Sequence, residues 1–170
     1  MEEIYRIIVG YENYEVSNFG NVKNIKTKRI LKHGFGSCGY KKVDLSIDGS
    51  PITLRIHKLV AQTFLENPEN KKCIDHIDNN KSNNNVLNLR YATHSENGQN
   101  SSLSSKNTSG TKGVSYENKN NKWRARIMID GINVHLGYFE NKEDAIAARI
   151  LKANQAFGIY VNSCEKINEI

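Results

Sequence analysis

Residues 73–100 of the 170-residue chain read CIDHIDNNKSNNNVLNLRYATHSENGQN, and this stretch decides the fold of the centre of the chain. Asparagine is dense between positions 79 and 85, which is a composition typical of solvated linkers. However, an Asp75-His76 pair precedes this run, and a capping-box signal from Thr93 to Glu96 follows it. Asparagine also tolerates left-handed backbone and hydrogen-bonds to its own main chain. The pattern therefore predicts a strand over residues 72–77, a long ordered loop, a second strand over residues 86–92 and a helix.

This strand–loop–strand–helix unit can bring three polar side chains together. Asp75 and His76 are neighbours in a strand, so their side chains point to opposite faces unless the strand ends or bulges there. Asn97 lies in the first turn of the predicted helix and offers an amide oxygen. One carboxylate, one amide oxygen and no thiolate suit a hard cation such as Mg²⁺ or Mn²⁺. The alternative is that His76 is an ordinary strand histidine beside a polar loop.

The residues IDHIDNNKSNN…NLRYATHSEN resemble the HNH motif of homing and phage-type endonucleases, which have the ββα-metal fold. The resemblance implies that His76 is the general base that activates the attacking water, and that Asp75 and Asn97 bind one divalent metal, Mg²⁺ or Mn²⁺. It also implies that Asn88 is a site residue that holds the hairpin together by hydrogen bonds near the base. Two positions differ from the commonest form of the motif, because Asp75 stands where Asn is frequent and Asn79 replaces a usual glycine in the turn.

The residues before this motif predict short strands followed by a helix. Residues 39–58 indicate a hairpin with Asp48-Gly49 at its tip, and the apolar spacing predicts a helix over residues 57–64. That helix resembles the one that the family carries just before its active site. We expect its first residue, His57, to pack or to contact phosphate, and the alternative is a share in catalysis.

The N-terminal run IYRIIVGYENYEVSNFGNVKN looks like the nuclease-associated modular (NUMOD-type) motif that precedes HNH domains, with Tyr5 in place of the usual Trp. The resemblance implies a small β module packed on the nuclease. Its lysines are candidate phosphate contacts or, alternatively, solvated surface residues: Lys23, Lys26, Lys41 and Lys42.

The C-terminal residues 111–160 indicate three strands and a helix that begins after Asn141. Alternation along residues 122–129 predicts one apolar face, and one basic face that carries Lys122, Arg124, Arg126 and Met128. The segment from SGTKGV to EDAIAAR is similar throughout to the Apetala/ethylene-response-factor type of DNA-binding domain, in the form appended to HNH nucleases. This resemblance implies DNA contacts by Lys112, Lys122, Arg124, Arg126 and His135. The alternative is a solvated strand face, which is common in antiparallel sheets.

Composition limits the class of protein. The net charge of +6 is a pointer towards a polyanionic partner. Three cysteines without a CxxC pair argue against a disulfide framework or a structural zinc site. The acidic N-terminus and the absence of a long apolar run predict no signal peptide and no membrane association. We therefore expect an intracellular protein, in the cytoplasm, nucleoid or nucleus, from a phage, viral or bacterial element.

Together these patterns predict an α+β protein with a small N-terminal β module and a ββα-metal HNH nuclease, linked to a three-stranded antiparallel sheet with one packed helix. The predicted spans are a β module at 1–52, the nuclease at 53–101, a Ser/Asn-rich linker at 102–110 and a DNA-binding domain at 111–160.

The predicted function is site-specific, metal-dependent hydrolysis of a phosphodiester in double-stranded DNA, as in homing endonucleases of the HNH type. One active site per chain predicts nicking by a monomer, whereas a double-strand break needs a dimer or two successive events. Two alternatives stay open, namely a DNA-binding regulator with an inactive nuclease domain and, more distantly, an RNA-binding protein.

Overall fold

The computed structural model describes residues 1–167. The chain consists of two compact units, Met1–Thr93 and His94–Ile170. Within the described residues, no disulfide joins the three cysteines. None of the helices in that part of the chain has the length and hydropathy that crossing a membrane requires.

The first unit contains three small antiparallel sheets and one helix. The first sheet has the order β1-β2-β3, with β1 at Tyr5–Ile8, β2 at Tyr11–Ser17 and β3 at Val22–Asn24. The second sheet consists of β4 at Gly34–Phe35, β5 at Lys41–Ile47 and β6 at Ser50–Arg55. The helix α1 is Ile56–Phe64, and the third sheet pairs β7 at Cys73–His76 with β8 at Leu89–Ala92.

The predicted hairpin and helix of the first unit are confirmed. β5 and β6 are joined by Asp48 and Gly49, whose φ angles are 49° and 81°. Positive φ at both central residues is what a two-residue hairpin turn of this kind requires, and Gly and Asp adopt it readily. Helix α1 begins at Ile56, one residue before the predicted start, and ends at Phe64 as predicted.

One apolar core joins the N-terminal strands to the residues that follow them. It contains Val16 and Val22 from the first sheet and Leu45 from the second. Leu59 of α1 and Leu89 of β8 pack in the same core. Burial of such side chains from water is the main stabilising contribution to a small domain. Because this core contains residues of both predicted spans, the β module 1–52 and the part of the nuclease span up to Thr93 form one compact unit.

The predicted strand over residues 86–92 is wrong in its first half. Val86–Asn88 form a 3₁₀ turn, and β8 begins only at Leu89. The side chain of Asn85 accepts a hydrogen bond from the Leu87 amide, and the Val86 amide donates to the carbonyl of Asn18 at 2.8 Å. These bonds satisfy backbone groups that a strand would otherwise pair in its ladder. Asn79 has φ 62°, which is the left-handed conformation expected where the family has glycine.

The second unit confirms the prediction of three strands and one packed helix. It begins with the short helix α2 at His94–Gln99. The antiparallel sheet has the order β11-β10-β9, with β9 at Val114–Glu117, β10 at Lys122–Ile129 and β11 at Ile132–Phe139. The helix α3 is Lys142–Phe157. Its small residues Ala145 and Ala153 are fully buried with Ala125 and Ile127 of β10, which lets the helix lie close to the sheet.

Two details of the second unit differ from a regular pattern. Asn141 occupies the position before α3, but its side-chain oxygen accepts no capping bond, and its amide donates instead to Asp144 Oδ2 at 3.3 Å. The β10–β11 pairing changes register between Ala125 and Arg126, so that Arg126 lies opposite His135. Residues 102–110 contain no helix or strand; Ser109 Oγ donates to the Thr111 carbonyl at 2.9 Å.

Candidate functional site

His76 is the last residue of β7 and is buried, with 4% of its surface exposed. Its Nε2 lies 3.0 Å from Oδ1 of Asn84, and Asn84 is 3% exposed. The β7–β8 ladder is regular up to this point, with His76 opposite Leu89. The strand therefore ends at the candidate base without a bulge. Asn84 was missed in the sequence, because nothing distinguishes it from its neighbours in the asparagine run.

Asp75, the candidate metal ligand of the first unit, is held by Arg90. The two residues lie opposite each other in the ladder, and Arg90 donates from Nε and Nη2 to Asp75 Oδ2 at 2.9 and 2.7 Å. Because hydrogen bonds to an ionised group are short and strong, this pair orients the carboxylate. Arg90 was also missed, and only the register of the two strands reveals it.

Asn88 closes the loop between β7 and β8. Its Nδ2 donates to Asp78 Oδ1 and to the carbonyl of Asn83, both at 2.8 Å. Its Oδ1 accepts from the amide of Asp78 at 3.0 Å, and its own carbonyl accepts from the amide of Ile77 at 2.9 Å. Burial alone would raise the pKa of Asp78, but hydrogen bonds from Asn83, Asn80 and Asn88 hold it below its ordinary value. The side chain of Asn88 thus ties together residues that directly follow His76.

His57, Tyr40 and His76 form a cluster of three rings, in which the Tyr40 and His76 centroids lie 5.9 Å apart. The centroid of His57 lies 4.7 Å from that of Tyr40 and 5.2 Å from that of His76. His57 is buried, and its Nδ1 has no hydrogen-bond partner among the described residues. Burial, followed by the charges of His76, Arg55 and Lys58, lowers the pKa of His57 to about 3. His57 is therefore a neutral imidazole beside the candidate base.

Two cations lie close to the Tyr40 ring. The Lys81 ammonium lies 4.9 Å from the Tyr40 ring centroid, and the Arg55 guanidinium carbon lies 5.2 Å from it. Lys81 Nζ also donates to the carbonyl of Cys38 at 3.0 Å. Cations over an aromatic face are stabilised by the ring quadrupole. The arrangement places positive charge near His76, where a phosphodiester would carry negative charge.

The candidate lysines of the N-terminal region are placed differently from one another. Lys23 forms an ion pair with Glu15 at 2.8 Å and lies over the ring of Tyr5. Lys26 is exposed, whereas Lys41 and Lys42 are partly buried on β5. The charge of Lys23 is thus compensated within its own sheet.

Asn97, the second candidate metal ligand, is an exposed residue of α2 in the second unit. Its convergence with Asp75 stays a prediction. Among residues 1–167 there is no group of three or more His, Cys, Asp and Glu side chains that could hold a metal. The donors that the motif implies are oxygen atoms from one carboxylate and one amide, and such a set is typical of Mg²⁺, which keeps several waters and binds substrate phosphate.

The exposed face of the C-terminal sheet carries most of the predicted DNA contacts. Arg126 and His135 are exposed and lie opposite each other on β10 and β11. Tyr138 is 44% exposed, and its ring centroid lies 4.7 Å from that of His135. This face therefore combines a cation, an imidazole and an aromatic ring.

Two further candidates on this face are compensated by carboxylates. Lys122 Nζ lies 2.8 Å from Glu140 Oε1. Arg124 Nη1 lies 3.5 Å from Glu117 Oε2. The Lys122–Glu140 pair is exposed, and such pairs are weak and can exchange one partner for another, whereas Arg124 and Glu117 are half-buried.

Lys112 is placed in an internal cluster of the second unit. Its ammonium donates to the carbonyl of Gln99 at 3.1 Å and lies 3.8 Å from Glu165 Oε2. Arg149, which is buried, pairs with Glu165 at 3.1 Å. Burial lowers the pKa of Lys112 and raises that of Glu165. The sequence pattern cannot distinguish this lysine from an exposed one, because Glu165 lies 53 positions further along the chain.

Two family models match the chain. The NUMOD4 motif matches residues 3–46, and the HNH endonuclease family matches residues 55–99. The first match covers the N-terminal strands, and the second covers α1, β7, β8 and α2. Neither of these two matches includes the C-terminal sheet, so the Apetala-type assignment stays a prediction.

Three curated proteins are similar to part of the chain. DNA endonuclease I-HmuI of Bacillus phage SP01 is 42% identical over 90 residues, which cover 52% of this chain and 52% of that protein. An HNH endonuclease of Acanthamoeba polyphaga mimivirus is 45% identical over 92 residues, covering 51% of this chain and 22% of that protein. H-N-H endonuclease F-TflII of Escherichia phage T5 is 33% identical over 93 residues, which cover 54% of this chain and 48% of that protein. The matched region thus spans about half or less of these relatives.

The structural comparison extends further along the chain. A solved structure described as DNA binding and cleavage by the HNH homing endonuclease I-HmuI matches with a TM-score of 0.55 and 37% sequence identity. The match covers 79% of this chain and 77% of that one. Shared identity over this length, together with the motif around His76, confirms the resemblance read from the sequence: the chain belongs to the HNH homing endonuclease family.

Proposed function

We propose that this protein is a site-specific, metal-dependent DNA endonuclease in which His76 is the general base. The observation that supports this most directly is the buried hydrogen bond of 3.0 Å between His76 Nε2 and Asn84 Oδ1, at the end of a strand within the HNH match. A histidine that is oriented by a second side chain is the usual form of a catalytic base.

The chemistry of the base follows from the two ring nitrogens. A neutral imidazole has one N–H and one lone pair. When Nε2–H donates to Asn84, Nδ1 carries the lone pair and can accept a proton from water. The water oxygen then bonds to phosphorus, the P–O3′ bond breaks, and its electron pair leaves with the 3′ oxygen, which takes a proton from solvent.

A divalent metal, Mg²⁺ or Mn²⁺, is part of the proposal. Asp75 would hold it, together with Asn97 as the resemblance implies. When bound, it would stabilise the negative charge that develops on the phosphate and the leaving oxygen. These residues suit such a metal because the Asp75 carboxylate offers hard oxygen ligands. Arg90 holds this carboxylate in one orientation.

The C-terminal sheet is proposed to select the DNA site. A β-sheet face can enter the major groove, where an arginine can read guanine through two hydrogen bonds. Arg126 and His135 are the exposed pair on that face, and Arg124 and Lys122 lie beside them. Lys112 is not included, since its ammonium lies in the cluster with Glu165.

Cleavage of supercoiled plasmid carrying candidate sites tests the nuclease directly. With Mg²⁺ or Mn²⁺ we expect the wild-type protein to produce nicked circles first, as one active site per chain predicts, and chelation of the metal to stop the reaction. His76→Ala should lose this activity, whereas His33→Ala, which changes an exposed histidine of the same unit, should keep it.

The DNA-binding regulator is the rival outcome of this experiment. It would bind the plasmid in a gel-shift assay but leave it supercoiled in both the wild-type and the His76→Ala protein. Equal nicking by the two proteins would instead remove His76 from the mechanism.

A further inference from the structure

Asn84 contacts His76 and also packs against the N-terminal sheet. An ideal Cβ on Gly20 would lie 2.9 Å from Asn84 Cβ and 3.1 Å from Ile56 Cγ2, so the turn between β2 and β3 passes very close to the loop of the HNH motif. Two residues further on, the Val86 amide donates to the Asn18 carbonyl at 2.8 Å. The same turn therefore packs against Asn84 and binds the backbone that follows it.

The first two residues of this turn carry buried polar groups. Ser17 and Asn18 are fully buried in the first unit. The Ser17 hydroxyl accepts from the Asn21 amide at 3.0 Å, and its carbonyl accepts from the Gly20 amide at 2.9 Å. The Asn18 side chain accepts from the Ile4 amide and donates to the Glu2 carbonyl. These paired, buried groups of Ser17 and Asn18 make the turn rigid, because each lost bond would leave a desolvated group without a partner.

Asn84 is a polar residue in a position that packing alone would give to an apolar one. Burying an amide costs free energy unless it is hydrogen-bonded. Within the described part of the chain, the hydrogen bond of the Asn84 side chain is the one to His76 Nε2. Since the acceptor is an oxygen, it selects the imidazole tautomer with hydrogen on Nε2 and the lone pair on Nδ1.

We propose that Asn84 is a positioning residue that sets the tautomer and orientation of His76, and that the Ser17–Gly20 turn of the N-terminal sheet holds Asn84 in place. The inference rests on the proposed role of His76. In this proposal the N-terminal sheet helps to orient the catalytic base. If the sheet served only to contact DNA, its turn would not need to pack against Asn84.

Two substitutions of Asn84 separate the hydrogen bond from packing. Asn84→Leu keeps a similar volume but removes the acceptor, and Asn84→Asp keeps an acceptor oxygen. We expect Asn84→Leu to lower the single-turnover cleavage rate about 10- to 100-fold, a loss of the size found when the hydrogen-bond partner that orients a metal-binding histidine is removed. Asn84→Asp should recover most of the rate. The affinity for DNA should stay unchanged in both variants.

The nitrogen-15 chemical shifts of the His76 ring measure the tautomer without any substrate. In the wild-type protein we expect a single neutral tautomer with hydrogen on Nε2, and in Asn84→Leu a mixture of the two. If both proteins have the same tautomer and the same cleavage rate, Asn84 only packs. Because the spectrum does not need cleavage, an inactive wild-type protein would count against the nuclease while the ring shifts would still decide the role of Asn84.

Gly20 and Gly10 provide a matched pair for the turn. Both have positive φ, +87° and +80°, so alanine strains the backbone at both, but a Cβ on Gly10 meets nothing within 4 Å. We expect Gly20→Ala to disturb the His76 tautomer and to reduce cleavage more than Gly10→Ala does. If the two variants have the same His76 ring shifts and the same cleavage rate, the Ser17–Gly20 turn does not hold Asn84 in place. Circular dichroism checks that both fold, and if Gly20→Ala does not, Asn18→Ala tests the same turn by the same spectrum.

Discussion

Arg90 and Asp75 face each other across the β7–β8 ladder, and both the Nε and the Nη2 of Arg90 donate to the same carboxylate oxygen, Oδ2. The side chains are 14% and 5% exposed, so this ion pair is largely shielded from water. A buried carboxylate is costly unless a cation and hydrogen bonds compensate it. The pair explains how a candidate metal ligand is accommodated next to a buried histidine.

Replacing Arg90 with Met should destabilise the first unit by about 3–5 kcal/mol, because it leaves the Asp75 carboxylate buried without its cation. The loss should be smaller when Asp75→Asn is added, since the charge is then gone as well. Glu69→Gln, which removes an exposed partner of Lys71, is the control and should cost only about 0–1 kcal/mol. Urea unfolding followed by amide resonances of β7 and β8 measures these differences. If the stability losses of Arg90→Met and Asp75→Asn simply added in the double variant, the two side chains would not interact.

The stability of the first unit should depend on pH through His57. Because the pKa of His57 is lowered from 6.5 to about 3 by burial and nearby positive charges, the unfolded chain binds a proton at this residue before the folded chain does. Its contribution is therefore present above pH 6.5 and is lost as the pH falls towards 3.

His57→Phe keeps an aromatic ring but removes the titrating group, so the slope of stability against pH should become flatter than in the wild type. Denaturant midpoints across this pH range provide the measurement. His33→Ala changes an exposed histidine of the same unit and should leave the slope as it is. A wild-type slope in the His57→Phe protein would show that other groups cause the acid sensitivity.

The buried carboxylate of Glu165 should be essential for the stability of the second unit. It lies between Arg149 and Lys112, so Glu165→Gln leaves two cations of a buried cluster without their counter-charge. We expect a loss of about 3–5 kcal/mol. Trp123, the single tryptophan of the chain, lies in β10 and reports unfolding of this unit by fluorescence. The exposed Glu140, paired with Lys122, provides the control through Glu140→Gln.

Arg126→Ala should weaken DNA binding and relax the choice of site. If Arg126 reads a guanine, its loss costs about 1–3 kcal/mol at one base position, and if it contacts phosphate the salt dependence becomes shallower instead. Slow metal-dependent cutting of non-specific DNA should persist, because His76 belongs to the first unit. Fluorescence anisotropy on a panel of duplexes distinguishes the two cases.

Lys106→Ala removes an exposed lysine outside the C-terminal sheet and is the matched control for Arg126. It lowers the net charge by the same amount, so a general electrostatic effect would appear in both variants. Unchanged affinity and site preference in Arg126→Ala would take this residue out of recognition.

Local patterns in the sequence were sufficient for most of the elements. The Asp48-Gly49 turn, helix α1 and the alternating faces of β10 could be predicted because each depends on residues close together in the chain. The HNH motif was recognisable for the same reason, since His76 and Asn88 keep their spacing along one loop. Residues 86–88 were mistaken for strand because their 3₁₀ turn depends partly on a bond to the distant Asn18.

The sequence by itself determined which chemical groups this protein carries, in what order, and which strands and helices present them. Only the tertiary structure decided the partners of those groups: Asn84 for His76, Arg90 for Asp75, and Glu165 rather than an exposed face for Lys112. The physical reason is that periodicity reports the local backbone, whereas burial and pairing depend on contacts between residues far apart in the chain, whose energies are realised only when the core assembles.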